Sequence, residues 1–169
     1  DSNTFVGDSS GRETTTGASN TAVGQATLLL NTTGASNTAL GANSLTFNQT
    51  ASNNTGVGYL ALNANTTGAD NTGLGKGALG SNTTASQNTA VGARSQESTT
   101  TGSDNTSIGW GSLIANSTGV NNVSLGRSSL AANTTAANNT AVGYIALLSN
   151  TTGTQNTAVG SLSLDANTT

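Results

Sequence analysis

The 169-residue chain contains no cysteine, histidine, proline or methionine, a single Trp, two Tyr and two Phe, and only 7% of its residues are charged. Each absence excludes something. Without cysteine there is no disulfide framework, so stability has to come from backbone ladders and oligomerisation. Without His or Cys, a hydrolase would need a carboxylate pair or a Ser–Lys site, yet the seven acids and four bases are scattered. Lys76 and the dispersed Asp and Glu read as solvated surface, so no enzyme, no catalytic residue and no cofactor is expected. The Gly-Gly-x-Gly-x-Asp pattern of calcium-binding rolls is missing, and with it the case for a metal. Four basic residues at a net charge of −3 leave no footprint for nucleic acid. No apolar run approaches the roughly 20 residues needed to cross a bilayer, so membrane insertion is not expected in this segment.

What is present is a period. Asn3, Asn20, Asn37, Asn54, Asn71, Asn88, Asn105, Asn122, Asn139 and Asn156 follow one another at 17 residues without insertion or deletion, and a glycine stands four residues after each. The unit reads Asn-Thr-Ala-Val-Gly-x-x-Ser/Ala-Leu-x-x-Asn-Thr-Thr-Gly-x-x, numbered here from 1 to 17, and the chain holds nearly ten copies. So short and unbroken a period means one small structural unit stacked along an axis. Low charge with few apolar residues would otherwise suggest disorder. Disordered tracts have no reason to keep Val6, Val23, Leu40, Val57, Leu74, Val91, Ile108, Leu125, Val142 and Val159 at one phase, position 4.

Seventeen residues are too few for a helix pair, and Gly with Asn/Thr-rich stretches punctuates each unit about twice. Two short extended pieces, at positions 2 to 4 and 8 to 10, separated by Gly at position 5 and closed by Asn-Thr-Thr-Gly, predict a parallel β-solenoid or β-roll. Residues 1–169 are read as one such array of about ten coils. Alternation places positions 2 and 4 on one face and 1, 3 and 5 on the other. Position 9 carries leucine except at Gly11 and Gln96, and with position 4 it gives about two aliphatic side chains per unit. That core is thin against roughly 1 to 2 kcal/mol of backbone entropy per ordered residue, so several copies are expected to associate. No unit is a cap: Asp1 enters at position 16 and Thr169 ends at position 14, which predicts a segment of a longer fibre or ends covered by other chains.

The Asn column at position 1 reads as a ladder of stacked amides, one hydrogen bond per step; the alternative is that each Asn caps its own turn through the following Thr. At position 12, Asn31, Asn48, Asn65, Asn82, Asn116, Asn133, Asn150 and Asn167 each head an Asn-x-Thr sequon. They are candidates for N-linked glycosylation, covalent glycans being the one added group expected, and the Thr pairs beside them for O-linked sugars; turn chemistry is the alternative. Position 6 is the most varied, and the only Trp and both Tyr fall there: Tyr59, Trp110 and Tyr144 form a candidate ligand stripe for sugar rings or a partner, unless they only cover aliphatic surface at Leu60 and Ile145. Thr at position 14 in every copy, with Thr or Ser at 13 except Gln49, offers rows of hydroxyls that an ice-binding solenoid would use.

At Asn-Thr-Ala-Val-Gly, residues 20–24, 88–92, 139–143 and 156–160, the chain resembles the head repeats of trimeric autotransporter adhesins, and more closely the Asn-Thr-Ala-x-Gly-x-x-Ala-Leu-x-x-Asn-Thr-Thr-Gly arrays of tail-fibre-like surface proteins. The resemblance implies a left-handed β-roll in a homotrimer, extracellular on a cell or virion, and binding surfaces. The resulting expectation is an extracellular structural or adhesive fibre whose partners are its own copies and cell-surface or environmental glycans; a carbohydrate- or ice-binding module is the alternative. Units one and six depart from the pattern, with Ser10, Gly11, Arg12, Glu13 and Thr14 in one and Arg94, Ser95, Gln96, Glu97 and Thr99 in the other, which suggests a super-period of five coils.

Overall fold

A computed structural model describes residues 2–168. Asp1 and Thr169, the two residues on which the reading of the array's ends depends, lie outside the described residues. Each coil contributes one three-residue strand from positions 2 to 4: β1 (Thr4–Val6), β2 (Thr21–Val23), β3 (Thr38–Leu40), β4 (Thr55–Val57), β5 (Thr72–Leu74), β6 (Thr89–Val91), β7 (Thr106–Ile108), β8 (Val123–Leu125), β9 (Thr140–Val142) and β10 (Thr157–Val159). They form one ten-stranded sheet in sequence order, every neighbour parallel and matched phase to phase, as in Thr21↔Thr38 and Val23↔Leu40. The fold is a parallel β-solenoid of 17-residue coils. At about 4.8 Å per step, ten coils rise on the order of 48 Å.

The second extended piece expected at positions 8 to 10 is a turn instead. Positions 7 and 9 both take left-handed backbone, as at Ala26 (φ 52°) and Leu28 (φ 47°), and so does position 17, as at Ser36 (φ 57°). The reversals decide where the peptide groups point. At position 7 the N–H reaches back to the preceding coil (Ala26 N to Asp8 O, 2.9 Å), whereas at position 9 it reaches forward (Leu28 N to Ser44 O, 3.2 Å). The corner backbone is thereby paired along the axis like the strands, which a buried main chain requires. Left-handed backbone costs a non-glycine residue roughly 1 to 2 kcal/mol. Burial of a leucine returns about 1.5 to 3 kcal/mol, which offsets that cost at position 9.

Position 5 is glycine for a separate reason. At Gly92 φ is 124°, and a Cβ there would lie 2.7 Å from the backbone carbonyl of Gly109 in the next coil. No side chain fits between stacked coils at that point.

The core is not where the aliphatic pattern placed it. The Val, Leu and Ile of position 4 point outward, with Val23, Leu40, Leu74 and Ile108 at 37 to 45% exposure, and the small residues of position 3 point in. Inside stand the leucine column, Ala, Gly or Ser at position 3, Ser, Thr or Ala at position 8, and the asparagines of positions 1 and 12. Among the described residues 18 buried hydrophobics are outnumbered by 25 buried polar side chains, so this interior depends on hydrogen bonds being made.

Units one and six break the leucine column and repair it differently. In the first, the space above Gly11 is filled by Phe5, whose ring lies 2.5 to 2.6 Å from where a Cβ on Gly11 would stand. In the sixth, Gln96 is fully buried and its Nε2 donates to Thr89 O at 3.0 Å and Ser107 Oγ at 2.9 Å. The apolar interior falls into two clusters on either side of it, one holding Leu28, Leu45, Leu62 and Leu79 and the other Leu113, Leu130 and Leu147. Buried serines add two hydroxyl-bonded groups in coils six to eight, Ser95 with Ser107 and Ser112 with Ser124 and Ser129.

Candidate functional site

Two columns of asparagine line the interior, and they do different things. At position 1 the amide oxygen accepts the backbone N–H of the next coil's Asn in all nine steps from Asn3 to Asn156, at 2.8 to 3.0 Å. Its Nδ2 donates to the position-15 carbonyl of its own coil, as Asn20 does to Gly34 O at 2.9 Å. Direct amide-to-amide bonds along this column occur at Asn37 to Asn20, Asn105 to Asn88 and Asn122 to Asn105. The axial bond expected from stacked asparagines therefore runs chiefly through the main chain. The own-coil bond is made to position 15 rather than through the following Thr.

The ladder of side-chain amides stands at position 12. Nδ2 of Asn48 donates to Asn31 Oδ1 at 3.0 Å, Asn65 to Asn48 at 2.8 Å, Asn82 to Asn65 at 2.7 Å and Asn133 to Asn116 at 2.9 Å. The second Nδ2 hydrogen goes to the carbonyl of position 15, so Gly34 O accepts both Asn20 and Asn31 of its coil. Asn31, Asn48, Asn65, Asn82, Asn116, Asn133 and Asn150 are all fully buried, and Asn167 in the last coil is half-buried. An N-linked glycan needs that nitrogen free and in solvent, and from Asn31 to Asn150 it is neither. The signal for an interior role was in the sequence: both units that lose leucine at position 9, at Gly11 and Gln96, also lose Asn at position 12, to Thr14 and Thr99. Two positions that change together share an environment.

The outer surface carries three longitudinal features. The position-4 stripe is aliphatic over its whole length and flanked by the half-buried Thr of position 2. Position 13 uses its hydroxyls internally, Thr66 Oγ1 donating to Thr83 O at 2.9 Å and Thr83 to Thr100 O at 3.1 Å, which leaves position 14 as the exposed Thr row. Both positions lie in bends rather than in a strand.

Position 6 is the third feature, and it places Tyr59, Trp110 and Tyr144 outward at 50, 47 and 45% exposure. Arg127, in the coil between Trp110 and Tyr144, lays its guanidinium over both rings, 5.3 and 5.9 Å from their centres. Cation–π contacts at exposed sites are each worth about 0.5 to 1 kcal/mol, so the three side chains form an ordered stack. Composition alone did not show Arg127 as part of this stripe. Arg12 and Arg94, by contrast, are neutralised by Glu13 at 2.9 Å and Glu97 at 2.7 Å. A notch of about 200 Å³ opens beside Gly77 and Gly80, walled by Leu60, Asn63, Ser81 and Glu97.

Among the described residues no three His, Cys, Asp or Glu side chains gather where they could hold a metal ion, and no helix is long and apolar enough to cross a membrane. Comparison of the chain with protein-family models, with curated proteins and with solved structures finds no match.

Proposed function

We propose that the chain is a stretch of an extracellular structural or adhesive fibre in which several copies, in a homotrimer, pack side by side. The observation that carries this reading is the position-4 stripe. Ten branched aliphatic side chains stand at one phase on the outer face of the sheet, each left partly in water by the folded coil. A continuous exposed apolar strip on a repeat array marks an interaction surface, and a strip that repeats with the coil suits a partner that repeats with the same coil. The interior adds to the case: with more buried polar than apolar side chains, a single chain gains little from burial and has much to gain by covering that strip.

In this assembly the Thr of position 14 and the polar residues of position 17 face outward and present the repetitive surface. The exposed Thr row also offers hydroxyls for O-linked sugars. Sedimentation equilibrium on the purified chain, followed by electron microscopy of the assembly, tests the proposal. A stable multimer with three-fold symmetry supports it, and a protein that stays monomeric across the concentration range sinks it.

A further inference from the structure

The stack at position 6 has an electrostatic setting unlike the rest of the chain. Between Asp104 and Asp165, Arg127 is the only charged residue, whereas Arg12 and Arg94 each sit against a glutamate. Among the described residues its guanidinium forms no ion pair, and its Cζ lies over the Trp110 and Tyr144 rings, 5.3 and 5.9 Å from their centres. Contact with the rings uses none of its N–H groups, which are left to meet a ligand. Those groups match a carboxylate in a two-point fork.

Trp110 and Tyr144 are both half-exposed, and their next neighbours along position 6 are small. Arg127 lies over Trp110 from the next coil, so the ring presents its faces along the axis. The residue on the far side of Trp110 at position 6 is Ala93, and beyond Tyr144 it is Ser161, both small. Beside Trp110 stands Gly111, where even an added Cβ would meet nothing closer than 3.9 Å. Trp110 is 47% exposed, and an exposed indole face suits the C–H face of a pyranose.

From this juxtaposition we propose that Trp110, Arg127 and Tyr144 form a binding site for acidic saccharides, with Arg127 pairing the carboxylate of one sugar residue while a neighbouring residue of the same saccharide stacks on Trp110 or Tyr144. The site lies wholly within one chain and so goes beyond the fibre reading without requiring it. Two stacking faces about two coils apart, roughly 9.6 Å at the strand spacing, suit an oligosaccharide lying along the axis rather than a monosaccharide.

Trp110 is the only tryptophan, so its fluorescence reports this site alone. Titration of the intact chain with oligogalacturonate should give a saturable change in emission in the micromolar to millimolar range, weakened by added salt. Arg127→Gln should weaken that binding about tenfold, as loss of one charge-assisted pair would, and Arg127→Lys should fall between, keeping charge and losing the fork. Position 6 holds eight different residue types across the coils, so these variants should fold, and circular dichroism with sedimentation checks that they assemble as the parent does. Maltotriose, neutral but otherwise a stacking sugar, should give no saturable change. An equal response to maltotriose, an Arg127→Gln titration unchanged from the parent, or no response to oligogalacturonate overturns the proposal. Sodium acetate at equal carboxylate concentration should have no effect, and a response matching the oligosaccharide would overturn the stacking component.

Discussion

Thr99 follows Asn82 by one coil in the position-12 column, and the Oδ1 of Asn82 and the Oγ1 of Thr99 are both buried without a hydrogen-bond partner. On either side of this step the amide ladder runs normally, Asn82 donating to Asn65 and Asn133 to Asn116. Gln96, one turn away, leaves its Oε1 unpartnered as well. Three unsatisfied oxygens in one fully buried place weaken the stacking at the sixth coil, because each forgoes about 1 to 3 kcal/mol of solvation.

Restoring the ladder should therefore stabilise the protein. Thr99→Asn gives Asn82 a donor and Asn116 an acceptor, and the expected gain is about 1 to 2 kcal/mol. Calorimetry should show a Tm higher by a few degrees. An unchanged or lower Tm would mean that the amide does not complete the column.

Gln96→Leu should join the two apolar clusters into one. The substitution removes an unpartnered oxygen and adds a leucine at a phase where seven fully buried leucines already pack, with an expected gain of about 1 kcal/mol. Because Gln96 and Thr99 are neighbours, the double variant should not be additive, and a double-mutant cycle on urea midpoints measures the coupling.

Gly11 and Phe5 offer a cleaner cycle. Gly11→Leu alone drives a side chain into the Phe5 ring and should cost about 1 to 3 kcal/mol, as overpacking does. Phe5→Ala alone opens a cavity and should cost a similar amount or more. Together they rebuild the arrangement of the regular coils, so the double variant should recover most of the loss.

Gly92→Ala should be among the most damaging single methyl additions. Its Cβ would sit 2.7 Å from the Gly109 carbonyl at a φ of 124°, and the three atoms nearest to it are all backbone of the next coil. A loss on the order of 3 kcal/mol or more is expected, read as a lowered urea midpoint and reduced strand signal.

Ile108→Lys tests the outer stripe. Its side chain is half in water, so the folded coil should tolerate the change within about 0.5 kcal/mol, while a charge in the middle of an apolar interface should break the assembly. Sedimentation showing smaller species with unchanged circular dichroism is the expected pair of results. An assembly of unchanged size would remove the position-4 stripe as the contact.

The period carried the fold. Asn at position 1, Gly at position 5 and one register over ten coils were enough to read a parallel solenoid, because only an axial stack explains an unbroken short repeat. The exposed position-6 corner was also legible, since the one phase that holds Asp8, Lys76 and Trp110 alike must face water.

What the one-dimensional pattern could not supply was which way each side chain points at the corners. Alternation correctly separated positions 3 and 4 but could not say which was inside, and hydrophobicity favoured the wrong one: Val23 and Ile108 are outside, Ala22 and Ser107 inside. The left-handed residues at positions 7 and 9 decide this, by turning Leu28 inward from a segment that looked extended. Opposite an inward leucine the coil leaves room only for Ala, Gly or Ser, and Phe5 stands at that phase where position 9 is Gly11. The same turns bring Asn31 beside Asn20 on a single carbonyl, so a sequon on paper is a hydrogen-bonded amide in the core. Spacing along the chain determined that the coils stack; the dihedral angles of a few corner residues decided what they bury.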